Sequence, residues 1–448
     1  MSLSFPLRRQ SGPPYLQIVD AIERRIGDGS LAPGDRLPTQ RELAAQLGVD
    51  LTTVSRAYSL CKRRGLIDAR GVRGSFVAHP QLPLDHVLDL SLNLPPPPAG
   101  IDIGEQLRTG MAKLLARSDA GTLMTYHLGG GSDADLQAAA RWLAPALGEV
   151  RADSLVVCSG AQNALAALVL ALTKAGDAVL SGTLVYPGLP HVLGQLGRRI
   201  RPLECDEQGL LPDALERQLH RSRARLLYLN PTAHNPTART MPEARRRELL
   251  RVAGHHRVTI IEDDPYWRLS ADPPPPLAAL APERVCHVAT LSKCISPGLR
   301  TAFVRLPPQV AREDVLSALR AMQLTQAPLL NALATQWILD GSAQALCAGV
   351  GEEASARLSL VKTRLQGAYD APADGIHVWY RLPGHWNMAR LLVTARAQGL
   401  HLAPAEAFRA DPSLKPENAL RISIGAIAER RELELTLSRL DRLIRADA

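Results

Sequence analysis

The sequence predicts a two-part protein of mixed α/β class. A small head of three helices and a hairpin precedes a large body, whose strands alternate with helices around a mostly parallel sheet and which ends in a smaller α+β lobe. Three observations carry this prediction. The first 80 residues hold helix-period apolar patterns punctuated by glycine. From about Ser154 the apolar runs SLVVCSG, GDAVLSG, ARLLYLNP, VTIIEDD and VCHVATLSK alternate with helix-like segments such as AQNALAALVLALTKA, as in a parallel sheet covered on both faces. Beyond about Thr325 helices dominate, with isolated strands HVWYRLP and ALRISIGA.

Composition narrows the function classes. At 448 residues, 46% hydrophobic and 21% charged, the chain exceeds a small stapled scaffold and is too apolar for a disordered tail. No run approaches the roughly 20 apolar residues of a membrane helix. The opening MSLSFPLRRQSGPP lacks the apolar stretch of a secretory signal, so a cytoplasmic protein away from membranes is expected. The six cysteines are dispersed, with no CxxC pair and no histidine at zinc-ligand spacing, so neither a disulfide framework nor a bound metal is expected. Charge is uneven: residues 1–80 hold 12 Lys and Arg against 7 Asp and Glu, more than half of the +8 excess. The basic end is the N-terminus.

In the head, Ile18, Val19, Ile22 and Ile26 describe one buried face of a helix that starts near Tyr15 and stops at Gly27 and Gly29. Thr39 and Glu42 have capping-box spacing and open a second helix, closed by Gly48 after about three turns. Asp50 caps a third, Leu51 to about Arg64, with Val54, Ala57 or Tyr58, and Cys61 inside. Leu66 to Arg70 and Ser75 to Ala78 read as strands around a glycine-bounded turn tipped by Arg73. Such an arrangement is a winged helix-turn-helix, whose third helix enters the major groove of double-stranded DNA. The residues facing an operator would be Thr39, Arg41, Thr52, Thr53, Ser55 and Arg56, with Arg73 in the wing.

The head therefore spans about 12–79. A proline-rich extended linker is read over 80–100, and the body over 88–446. In the body, Ser159-Gly160-Ala161-Gln162 joins a strand to a long helix, so its amides form an anion site. Asn230-Pro231-Thr232-Ala233-His234-Asn235-Pro236-Thr237 and Glu262-Asp263-Asp264-Pro265-Tyr266 each follow a strand, at the edge where open α/β sheets bind ligands. Thr290-Leu291-Ser292-Lys293 ends another strand, with Arg300 seven residues on. A lysine beside hydroxyls and an arginine can form a Schiff base with an aldehyde while the others neutralise a phosphate. Each motif alone also fits an ordinary packing turn or helix cap.

Together, in this order, they resemble the fold-type I pyridoxal-phosphate enzymes of the aspartate aminotransferase superfamily, over some four fifths of the chain. The resemblance implies that Lys293 forms the Schiff base with pyridoxal 5'-phosphate, that Asp263 partners its ring nitrogen, and that Asn235 and Tyr266 bond its ring hydroxyl. It implies that Tyr186 stacks on the ring, and that Ala161, Gln162, Thr290, Ser292 and Arg300 hold the phosphate, with Tyr126 reaching over from the other subunit of a homodimer. Arg421 in LRISIG resembles the arginine that grips a substrate carboxylate. The chain departs from that pattern where Ala238 replaces a usual glycine, where Thr301-Ala302 follows Gly298-Leu299-Arg300, and at Leu136-Gln137.

The head resembles the DNA-binding domain of GntR regulators through PPYLQIVDAIERRIGDGSLAPGDRLPTQRELAAQLGVDLTTVSRAYSLCKRRGLIDARGVRGSFV, with Leu51 where many members have arginine. Their fusion is the layout of the MocR regulators. It implies a transcription factor that senses pyridoxal phosphate, alone or with an amino acid or other amine effector. The other reading is a working aminotransferase with an autoregulatory DNA-binding head; the fusion favours the regulator, since transamination has no need of a basic winged helix.

Overall fold

The computed structural model describes residues 13–69, 74–78, 88–127 and 129–446, in two compact units that meet in sequence at His86 and Val87. In the head, α1 (Pro14–Gly27), α2 (Gln40–Leu47) and α3 (Leu51–Arg63) close on Ile18, Val19, Ile22, Leu43, Val54, Ala57, Tyr58 and Cys61. Thr39 and Glu42 form the expected capping box, and Gly48 ends α2 in the left-handed region at φ 65°. That helix has eight residues, about two turns rather than three. Strands β1 (Ile67–Ala69) and β2 (Ser75–Val77) pair antiparallel as the wing hairpin. The wing tip, with Arg73, lies outside the described residues.

In the body a seven-stranded sheet is built from β3 (Leu155–Cys158), β4 (Ala178–Gly182), β5 (Arg199–Leu203), β6 (Leu226–Leu229), β7 (Thr259–Asp263), β8 (Val285–Thr290) and β9 (Ala302–Arg305), in the spatial order β3-β9-β8-β7-β6-β4-β5. β9 runs antiparallel to both neighbours and every other pair is parallel. The five runs read from sequence are five of these strands. The edge strand RIRPL was hidden by its arginines, because an edge exposed on one side carries no continuous apolar run. A four-stranded antiparallel sheet forms the small lobe, with β10 (Tyr369–Asp370), β11 (His377–Arg381), β12 (Ala403–Pro404) and β13 (Ala419–Ser423) in the order β10-β11-β13-β12.

The proline-rich segment requires a correction. Residues 88–100, read from sequence both as the end of an extended linker and as the start of the body, are built into the body: Leu88–Asp89 pairs in parallel with Leu400–His401, and Leu90 is fully buried. A Cβ on Gly425 would lie 1.9 Å from the Leu94 carbonyl oxygen, so this segment presses directly on the small lobe. Proline fixes local φ but does not prevent flanking apolar residues such as Leu88 and Leu90 from entering a core. Among the described residues no helix is long and apolar enough to cross a membrane.

Candidate functional site

Five strands end on one edge of the large sheet and deliver the site. β3 leads through Ser159-Gly160 into α4 (Ala161–Leu172), whose first amides at Ala161 and Gln162 have no carbonyl a turn earlier to bond. Tyr186 follows β4, Asn230 and Asn235 follow β6, Asp263 ends β7 with Tyr266 just beyond, and Thr290 ends β8 before Ser292 and Lys293. Arg421 arrives from β13 of the small lobe. These residues line one cavity of about 520 Å³, together with Arg300. Of the cofactor and carboxylate residues named from sequence, only Tyr126 is not brought there; it is exposed.

Lys293 Nζ donates to the Asn93 carbonyl at 2.6 Å. Burial, reinforced by the positive charge of Arg421, lowers its pKa to about 8 although Asp263 pulls the other way. Burial raises Asp263 to about 6 against a 2.7 Å hydrogen bond from the Tyr228 hydroxyl to its Oδ2. Asn230 Nδ2 donates to the Asp263 carbonyl at 2.6 Å, and Asn230 Oδ1 accepts the Asn235 amide at 2.7 Å. Asn93 Nδ2 donates to the Tyr266 hydroxyl at 2.7 Å. Arg421 donates from Nη1 to Asn235 Oδ1 at 2.8 Å and from Nη2 to the Ser91 carbonyl, and its guanidinium lies 4.8 Å from the Phe408 ring centroid.

The α4 end of the cavity is shaped by close approach. Gly160 has φ 88°, and a Cβ there would come within 2.9 Å of the Arg300 guanidinium, which donates to the Ser159 carbonyl at 3.1 Å. Arg300 itself is held at φ 49°, a conformation a non-glycine residue seldom adopts without a local reason. Thr290 Oγ1 lies 2.9 Å from Ser292 Oγ. Two hydroxyls, a guanidinium and the first amides of a helix thus converge, which is the chemistry of an oxyanion or phosphate site.

Four buried polar atoms test whether a cofactor fits the cavity. Asp263 Oδ1, Asn93 Oδ1, Gln162 Oε1 and Arg421 Nε are buried, line the cavity and have no hydrogen-bond partner among the described residues. Buried polar atoms are ordinarily satisfied. A ligand with a protonated ring nitrogen for Asp263 and a phosphate for the α4 end fits this set, and pyridoxal phosphate has both. Sequence reasoning missed Ser91, Asn93 and Tyr228 as contributors, and placed Asn230 at the ligand edge without its positioning role. Tyr228 carries a signal in retrospect: it is the one polar side chain in the buried strand LLYL.

The face of the head is organised differently. Asp50 accepts the Thr53 amide at 2.8 Å and both the Thr52 and Thr53 hydroxyls, and these bonds, the Thr52 hydroxyl foremost, lower its carboxyl to about 2. Thr39 Oγ1 accepts the Glu42 amide at 3.3 Å. Arg56 is exposed, with its guanidinium 4.1 Å over the Tyr15 ring centroid, while Arg41 is exposed on α2 and Ser55 half-buried on α3. Neither arginine makes an ion pair among the described residues.

Comparison with known proteins matches both units. Residues 14–77 fit the family described as bacterial regulatory proteins, gntR family, and residues 85–440 fit aminotransferase class I and II. The HTH-type transcriptional regulator YdeF of Bacillus subtilis is 31% identical over 99% of this chain and 97% of its own length. The vitamin B6 salvage pathway transcriptional repressor PtsJ of Salmonella typhimurium is 29% identical over 92% of this chain and 94% of its own. Among solved structures, the α-aminoadipate aminotransferase LysN of Thermus thermophilus, complexed with N-(5'-phosphopyridoxyl)-L-leucine, superposes with a TM-score of 0.72 at 26% identity, covering 87% of this chain and 98% of that one.

Proposed function

The chain belongs to the MocR-type regulators, a GntR winged helix-turn-helix fused to a class I and II aminotransferase domain, and we propose that occupancy of the body cavity by pyridoxal phosphate, alone or with an amine effector, sets its affinity for operator DNA. Pyridoxal phosphate supplies an aldehyde that condenses with amines and a ring that draws electrons from what is attached to it. Lys293 presents the amine in a setting that makes its neutral, nucleophilic form more accessible than in an ordinary lysine. Asp263 holds a proton at the ring nitrogen, kept in place by Tyr228 and Asn230. Asn235 and Tyr266 would bond the ring hydroxyl and Tyr186 would stack on the ring. Ala161, Gln162, Thr290, Ser292 and Arg300, which line one cavity, would hold the phosphate. Tyr126, off the cavity of its own chain, would serve the phosphate of a partner subunit in a cytoplasmic homodimer, and Arg421 the carboxylate of an amino acid effector.

The observation that carries the reading is the pair of bonds from Lys293 to the Asn93 carbonyl and from Arg421 to the Ser91 carbonyl. Both acceptors lie in the segment by which the chain enters the body from the head. A ligand that engages either side chain withdraws a donor from that segment, so ligation bears on how residues 91–93 are held within the body. A ligand shifts DNA binding only by its differential affinity for the two states, typically about 1 to 3 kcal/mol.

The test is a DNA titration with fragments flanking the gene, with and without pyridoxal phosphate and a panel of amino acids, beside a turnover assay with a keto-acid acceptor. A ligand-dependent change of roughly 5- to 150-fold in DNA affinity, with at most one half-reaction, supports the sensor. Sustained turnover with no effect on DNA affinity overturns it in favour of the aminotransferase.

A further inference from the structure

The amino ends of the parallel strands, opposite the cofactor edge, carry a second feature. Arg199, Arg201, Arg221, Arg223 and Arg225 line one open groove of about 570 Å³, with Asp177 the sole acid in its lining. All five arginines are exposed, and none makes an ion pair among the described residues. Elsewhere on the body arginines are commonly matched: Arg217 pairs with Glu204, Arg245 with Asp206, Arg247 with Glu243 and Arg364 with Glu434. Beyond residue 80 the chain has 40 Lys and Arg against 37 Asp and Glu, so this groove alone holds more net positive charge than the whole body sums to.

Its position separates it from the cofactor. Arg199 and Arg201 stand on β5, and Arg223 and Arg225 precede β6, so the length of a strand, roughly 15 Å, divides the groove from Asn230 and Tyr186 at the other ends. The carboxyl end of helix Pro212–Arg221 favours a nearby cation, which accounts for Arg221 but not for five together. Side-chain direction also fits: Arg199 and Arg201 alternate with half-buried Ile200 and therefore share the solvent face of the edge strand. Arg199 is fixed by donating from Nε and Nη2 to the Gly176 carbonyl at 3.1 and 2.8 Å.

We propose that this arginine groove is a second DNA-binding surface, which takes the phosphate backbone of duplex flanking the site held by the head. A small anion is disfavoured because binding sites for small molecules bury most of their ligand, whereas all five arginines here are exposed. A polyanion needs no burial, since it gains by releasing condensed counterions at each neutralised phosphate. The inference rests on DNA being the partner of this chain, and the experiment separates the two claims.

The full, cofactor-loaded chain is titrated by fluorescence anisotropy with mixed-sequence duplexes of about 20 and about 60 base pairs over a series of KCl concentrations. The Arg201→Gln/Arg221→Gln/Arg223→Gln variant keeps the side-chain stems and removes three charges; unchanged visible absorbance of the cofactor shows that its fold is intact. On the long duplex its slope of log affinity against log salt should fall by about 2 to 3, while on the short duplex it should match the parent chain. Equal slopes on the long duplex overturn the proposal. So does loss of tight inorganic pyrophosphate binding in the variant with DNA binding unchanged, which would assign the groove to a small polyphosphate. Arg56→Ala serves as the second axis: if it leaves both duplexes unaffected, the reading of the head fails while that of the groove is decided by its own slopes.

Discussion

In the body cavity the groups expected to meet a ligand are mostly buried and keep atoms in reserve, whereas on the face of the head the corresponding groups are largely exposed and the threonine hydroxyls are already committed. Asp263, Asn93, Gln162 and Arg421 each retain one unpaired buried atom after their neighbours have oriented them. Thr39, Thr52 and Thr53 spend their hydroxyls on the caps of α2 and α3. Two modes of holding a ligand are thereby distinguished. A small ligand is held by preorganised, desolvated partners whose unpaired cost it relieves. A polyanion is held by exposed charge, and local hydroxyls serve to fix the helix that carries it.

The comparison breaks most completely at Lys293. Lys293→Ala should abolish the borohydride-reducible linkage between chain and cofactor, read by intact mass, while DNA affinity without ligand stays within about twofold and its ligand dependence disappears. If another of the six lysines takes over the linkage at the same stoichiometry, the assignment fails.

A second test uses the electrostatics of the cavity. Condensation needs the neutral amine, which predominates above its pKa, so the rate of linkage formation by cofactor-free chain should rise with pH and level off above about 8, the value to which burial and Arg421 bring Lys293. An ordinary lysine would keep rising to about 10.4. Arg421→Leu removes a lowering charge and should move the profile to higher pH; Asp263→Asn removes a raising one and should move it lower. Opposite movements would show that these three groups do not share one enclosure.

These contrasts also explain what could be read without coordinates. Lys293, Asp263, Asn235 and Thr290 were legible because each follows an apolar strand, and strand ends in an α/β sheet share an edge. Ser91 and Asn93 were not, since they act largely through backbone carbonyls on side chains 200 or more residues away, and any residue type can supply a carbonyl. The proline run concealed them further by suggesting a linker. In the head the helices were legible from Ile18, Ile22, Val54 and Cys61, but the commitment of Thr52 and Thr53 to Asp50 was not, because an exposed hydroxyl beside a cap reads equally well as a base contact.

On the head the sharpest probe is Asp50→Ala. Losing the cap of α3 should destabilise that unit, visible as an earlier first transition in a denaturant titration followed by far-UV circular dichroism. DNA affinity should weaken through the loosened first turn even though a negative charge is removed, which alone would strengthen it. Tighter binding by the variant would show that Asp50 acts by repelling phosphate rather than by holding Thr52 and Thr53.

A change of smaller consequence is expected at Ala238, the position at which the sequence departs from the aminotransferase-like pattern it resembles. Ala238 sits at φ 62° with only 1% of its surface exposed, in the turn between Asn235 and Met241. A Cβ in the left-handed region costs about 1 to 2 kcal/mol. Against that, its buried methyl contributes about 0.8 kcal/mol, and alanine restricts the unfolded chain by about 0.4 to 1 kcal/mol relative to glycine. The terms nearly cancel, so Ala238→Gly should alter the stability of the cofactor-loaded chain by no more than about 0.5 kcal/mol, measured by thermal unfolding. Ala238→Val adds a branched side chain where neither φ nor space allows one, and should destabilise by about 1 to 3 kcal/mol. Equal melting of the alanine and glycine forms would mean that the absent glycine is a balanced substitution in the turn bearing Asn235, and no sign that the cavity has lost its capacity to hold a cofactor. A marked gain with glycine would instead reveal strain stored beside the site, a burden that the exposed, locally capped face of the head does not carry.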